Sequence, residues 1–225
     1  MTITTPFDND LLQISSFTYQ PWIGENFGKT KIQIVGDSHY DDGDGWLPNN
    51  KQATRQLINN NGLNSDKPQF SKASFLRVVE KIISNRQLTI PQERAAFWKN
   101  VSFLNLSQRL LPTIKERPTD ADFDLGWETF LKYALITKPT VCIKLGLDGI
   151  GRLGYFLNNN ETDWKRNVKE FYTRPFVINL TNGHYHLKIV VINHPTGSRG
   201  FDTTKWTNLI HKQFPELQKL LSNRE

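Results

Sequence analysis

The sequence predicts one α/β domain spanning residues 1–225, a three-layer α/β/α sandwich around a mostly parallel central sheet. Short β-branched apolar runs alternate with stretches of helical spacing, the pattern of strands joined by crossover helices. A chain of 225 residues, set against ~150 per domain, makes a single domain. Its 14 Phe, 6 Trp and 6 Tyr supply enough apolar surface to offset backbone ordering, which argues against disorder.

Lys31–Val35 is the first strand, and the polar stretch Asn49–Asn64 reads as a loop. Behind Ser71 as N-cap, Phe75, Leu76, Val78, Val79, Ile82 and Ile83 recur with a helical period. Pro91 suits the first position of a helix running through Glu93–Lys99, and Val101–Leu104 reads as a short strand. Thr119 or Asp120 caps the next helix, whose Phe123, Trp127, Phe130, Leu131 and Ala134 share one face until Pro139 prevents continuation. Thr140–Leu145 is a strand, followed by a glycine-spaced helix over Asp148–Leu157 and a polar one near Asp163–Tyr172. Phe176–Leu180 and Leu187–Asn193 form a hairpin through Asn182–Gly183, residues that tolerate positive φ. From Thr203 a last helix turns Trp206, Leu209 and Ile210 inward and is interrupted at Pro215.

The formal charge of +6 favours polyanionic partners such as nucleic acid. A single cysteine, Cys142, can form neither an internal disulfide nor a zinc site alone, and it reads as core. No window approaches the ~18 uninterrupted apolar residues of a spanning helix. The first ten residues carry two acids and no Lys or Arg, unlike a secretory signal, so a cytoplasmic location without membrane contact is expected.

Polar clusters fall at the carboxyl ends of the strands: Gly36-Asp37-Ser38-His39-Tyr40 after the first, Asn105 after the short one, Gly146 after the next, and Asn193-His194-Pro195-Thr196 after the last. In open α/β sheets ligands bind outside that edge, so one site is expected to gather them. Lys165, Arg166 and Lys169 read either as a solvated helix face or as a phosphate track, and Trp46, Phe70 and Trp164 either as core or as surfaces for stacked bases.

The run Ile34–Tyr40 (IVGDSHY), the segment Phe103-Leu104-Asn105, the strand end Leu145-Gly146, and His194-Pro195-Thr196 with Arg199-Gly200-Phe201 resemble, in order, motifs of the uracil-DNA glycosylase superfamily. That resemblance implies the family's fold and hydrolysis of an N-glycosidic bond in single- or double-stranded DNA. It implies no cofactor, no metal and no obligatory protein partner. Under it, His194 stabilises the departing base, Asn105 reads its hydrogen-bonding edge, and Tyr40 walls the pocket, with Ser38 and His39 beside it. Thr196, Ser198 and Arg199 contact the nucleic acid. The family's water-activating Asp matches Ser38 here, while Asp37 stands at its Gln position and His39 at its Pro position. Asp37, or Asp41 or Asp42 downstream, is then the substitute carboxylate. The late loop is shorter than the family's and lacks its wedging Leu, a place that Arg199 fills.

Two other enzyme readings use the same residues. Gly36-Asp37-Ser38 and His194-Pro195 are also similar to the first and last blocks of the SGNH (GDSL-type) hydrolases, with Ser38 as nucleophile, His194 as base and Asn105 at the oxyanion. That family's orienting Asp is replaced by Val191. A metal phosphodiesterase would use Asp37 and His39 with Asp41, Asp42 and Asp44, but a second His/Asn cluster of matching spacing is lacking, since His184 and His186 sit on one face of a hairpin strand. A binding module without catalysis is the fourth reading.

Overall fold

The computed structural model describes residues 4–41, 50–63, 70–166, 176–195 and 200–222. Its centre is four parallel strands: β4 (Val101–Asn105), β2 (Ile32–Gly36), β6 (Val141–Leu145) and β9 (Tyr185–Ile192), adjacent in that order. On one flank β1 (Trp22–Ile23) pairs antiparallel with β4; on the other, β8 (Val177–Asn182) and β7 (Lys165–Arg166) continue antiparallel from β9. The sheet is therefore seven-stranded and mixed, not mostly parallel, with three parallel and three antiparallel pairings. Crossover connections make the centre parallel, whereas a tight hairpin and short edge strands pair antiparallel. The hairpin turns at Gly183 and His184, one residue later than expected, with Asn182 paired to Tyr185.

Helices cover both faces. On one, α6 (Asp120–Thr137) and α7 (Ile150–Asn159) bury Phe123, Trp127, Phe130 and Leu153 against Val35, Leu104, Cys142, Ile189 and Val191. On the other, α4 (Phe70–Ser84), α5 (Pro91–Lys99), α8 (Thr203–Gln213) and α9 (Leu217–Ser222) pack Leu76, Val79, Ile82, Trp98, Trp206 and Leu217 against Ile32, Ile34, Phe103, Ile143, Val190 and Ile192. Alternate residues of each central strand thus feed opposite layers, which requires a nearly unbroken apolar run in each.

Local signals set the helix ends. Thr119 closes a capping box with Asp122, and α6 stops at Lys138, in a left-handed conformation before Pro139. Pro91 starts α5, and the Asp202 carboxylate accepts from the Lys205 N–H at 3.0 Å to cap α8. Two expectations are corrected. The polar stretch after Asn49 holds a helix, α3 (Ala53–Ile58), and a π turn over Asn59–Leu63, because Arg55, 1% exposed, is anchored to Asp8 at 2.5 Å and to the Pro21 carbonyl at 2.9 Å. Of the polar helix expected near Asp163–Tyr172, Lys165 and Arg166 are extended and pair with Thr181 and Leu180, and residues 167–172 lie outside the described residues. No helix among the described residues is long and apolar enough to cross a membrane.

Candidate active site at the carboxyl edge of the sheet

From β2 the chain crosses first to β4 on one side and then to β6 on the other, so the strand order reverses between β2 and β6. Ligands of open α/β sheets bind at the carboxyl side of such a switch point. Asp37 and Lys144 meet there. The Lys144 ammonium, fully buried near the carboxyl end of β6, donates to the Asp37 carboxylate, to the Leu145 carbonyl at 2.9 Å and to the Gly146 carbonyl at 3.1 Å. Its three hydrogens are all used, which is what keeps a buried ammonium tolerable. The sequence reading passed over Lys144 as part of an apolar strand.

Two glycines shape this edge. Gly146 has φ +94°, and a Cβ there would collide with the Asp37 carboxylate. Gly36 stands opposite Asn105 in the ladder, and a Cβ on it would strike the Asn105 carboxamide oxygen and approach the Phe103 ring. The carboxamide therefore lies in the space that Gly36 leaves open. Asn105 is 6% exposed, and its main-chain carbonyl accepts from the Gln108 amide at 2.8 Å, but its side chain takes no hydrogen-bond partner among the described residues.

His194 follows β9. Its imidazole stacks on Phe75 of α4, with centroids 5.5 Å apart and planes 14° apart, and Phe75 meets Phe103 edge-on at 6.5 Å. The chain of contacts from His194 through Phe75 and Phe103 thus reaches Gly36 and Asn105. Burial holds the His194 imidazole below the ordinary histidine range; Lys144 and Arg117 act in the same direction, and Asp37 and Asp148 oppose them. A neutral imidazole near pH 7 is an N–H donor as well as an acceptor. Phe75, like Lys144, was missed as a site residue, since its helical spacing marks it as core.

The second half of the 36–41 loop goes elsewhere. His39 and Tyr40 form β3 (His39–Tyr40), which pairs with β5 (Leu110–Leu111) in a separate two-stranded ladder. His39 is 5% exposed, shares a 2.8 Å hydrogen bond with Thr54 Oγ1 and packs edge-on against Tyr19. It serves the core on that side. The Tyr40 hydroxyl accepts from Arg117 at 3.3 Å, and this couples Tyr40 to the surroundings of His194. Asp41 lines a different hollow of about 570 Å³ with Tyr19, Gln108, Arg109 and Asp122.

Ser38 Oγ is shielded from solvent and makes no hydrogen bond, so no Ser38–His194 contact supports the serine-hydrolase reading. Val191, at the position of that family's orienting acid, lies in the core. Among the described residues no three metal-ligating side chains gather. Trp164 is 4% exposed and packs on Tyr185 as core, and Arg166 donates to Asn158 at 3.3 Å. Asp42, Asp44, Trp46, Lys169, Thr196, Ser198 and Arg199 lie outside the described residues, as does the side chain of Phe70.

Compared with known proteins, the chain matches no protein-family model and no curated sequence.

Proposed function

We propose that this edge binds a nucleobase taken out of the DNA stack and hydrolyses its N-glycosidic bond, on a three-layer plan like that of the uracil-DNA glycosylases. The observation that carries the reading is the Asn105 carboxamide: nearly buried, without a hydrogen-bond partner among the described residues, and linked through packed aromatic rings to a partly buried imidazole. A carboxamide offers a donor and an acceptor side by side, matching the edge of a flipped base. Each hydrogen bond that a bound base makes to it contributes about 0.5–1.5 kcal/mol net.

In the reaction the bond from the sugar C1′ to the base nitrogen breaks and its electron pair leaves with the base. The oxygen of a water molecule bonds to C1′, and a proton from that water ends on the base. His194, uncharged near neutrality, donates a hydrogen bond to the base oxygen where negative charge grows. The Asp37 carboxylate stands at the switch point to orient water and to stabilise positive charge on the sugar. Asp41, in its separate hollow, has no part in this arrangement. The formal charge of +6 favours a DNA partner.

The test is incubation of purified protein with oligonucleotides carrying uracil or other modified bases, followed by alkali. Strand scission at the modified position is the expected result. Intact strands across the whole panel overturn the reading, and labelling of Ser38 by a fluorophosphonate probe would transfer support to the hydrolase.

A further inference from the structure

Arg117 lies in the exposed segment between β5 and α6, and its guanidinium donates to the Tyr40 hydroxyl at 3.3 Å. With Phe123, Asp148, Gly149 and Arg152 it lines a hollow of about 430 Å³ beside the start of α7. The same guanidinium and Asp148 both contribute to the electrostatic surroundings of His194, so this hollow lies within electrostatic reach of the candidate site.

Arg117 differs from other arginines of the chain in how it is used. Arg55, Arg77, Arg86, Arg109 and Arg152 each hold a carboxylate, namely that of Asp8, Glu80, Glu93, Asp122 and Asp124. Arg117 meets a phenol oxygen and, among the described residues, has no carboxylate within ion-pairing distance. A guanidinium with one N–H on Tyr40 and no other partner among the described residues, at the rim of a concave site, matches the geometry of a phosphate. Of the acids on the same lining, Asp120 is taken up by Arg152 at 3.3 Å. Asp148 remains and disfavours a second negative charge, so a phosphodiester fits better than a dianionic terminal phosphate.

Resting on the glycosidase reading of the neighbouring site, we propose that Arg117 binds a backbone phosphodiester flanking the bound base, and so positions the nucleotide for Asn105 and His194. The substrate is then a base within a strand rather than a free nucleoside or mononucleotide.

The test measures binding of a short mixed-sequence DNA oligonucleotide, single-stranded and duplex, by fluorescence anisotropy over a range of salt concentrations. The proteins are the wild type, Arg117→Gln, Arg117→Lys and the surface control Arg86→Gln. Losing one phosphate contact is expected to flatten the slope of log K against log salt by about 0.7 for single strands or about 0.9 for duplex. Affinity falls about tenfold at low salt, as loss of a charged hydrogen bond implies. Arg117→Lys keeps the slope while losing part of the affinity, because an ammonium preserves the charge and not the fork. Nucleoside 5′-monophosphate competes poorly.

An Arg117→Gln protein with the wild-type slope overturns this inference, whether or not affinity falls, and leaves the glycosidase reading standing. Competition by the monophosphate equal to that by the oligonucleotide overturns the phosphodiester assignment. A wild type that binds neither DNA overturns this inference and the reading beneath it.

Discussion

Asp37 and Asp41 are four residues apart in one short loop, yet they occupy different settings. Asp37 is drawn onto the end of the sheet by Lys144 and lies against Gly146, with 11% of its side chain exposed. Asp41 follows the small β3–β5 ladder, is exposed and faces the hollow that holds Arg109. The two part company at His39, whose imidazole is bound to Thr54 and pulls the chain toward α3. Closeness in sequence therefore says little about which carboxylate serves a site. A buried cation on a neighbouring strand decides it.

The sharpest way to break this contrast is Lys144→Met, which leaves the Asp37 carboxylate without its partner. Urea unfolding is expected to show a loss of about 3–5 kcal/mol, against about 0.5 kcal/mol or less for Asp41→Asn. Adding Asp37→Asn to Lys144→Met should recover part of that loss, and strictly additive effects would show that the pair is not coupled. In the base-excision assay, Asp37→Asn should lower turnover by roughly 10²-fold or more, while Asp41→Asn stays near wild type. Equal losses in both variants would erase the distinction between the two carboxylates. Gly146→Ala combines a left-handed φ with a collision at Asp37, and a cost of about 1–3 kcal/mol is expected by urea unfolding.

The smallest effect is in the pH dependence. The folded value of His194 lies below its ordinary 6.5, so the unfolded chain binds that proton more readily. The stability this imidazole contributes is present above 6.5 and is lost as pH falls from there through the lowered folded value. His194→Gln should flatten that part of the stability profile. His211, also lowered by burial, keeps its share of the slope and serves as the internal comparison.

The central strands and helices α4 to α8 were legible because each carries its own periodicity, cap or proline stop. Asn105 and His194 were legible as candidates because they end apolar strands. Lys144 was not, since one lysine in a run such as Val141–Leu145 reads as a blemish in the strand. The usable signal was the cost of burying it between two strands, which demands an acid at the same edge, and Asp37 is that acid. Helix α3 escaped notice because its fixing contact, Arg55 with Asp8, joins residues 47 apart, beyond the reach of any local pattern. The mixed character of the sheet was hidden in its shortest strands, β1 and β7, two residues each.

The bonds of Lys144 tie the loop after β2 to the end of β6 across 107 residues of chain, and the Gly146 amide is in turn fastened to the Ile192 carbonyl at 2.8 Å. Three neighbouring strand ends are laced together at the carboxyl edge of the sheet, leaving no hinge between them. Local breathing of that floor would have to part the sheet itself, so the Gly146 amide should trade its hydrogen for deuterium only as fast as the whole domain opens.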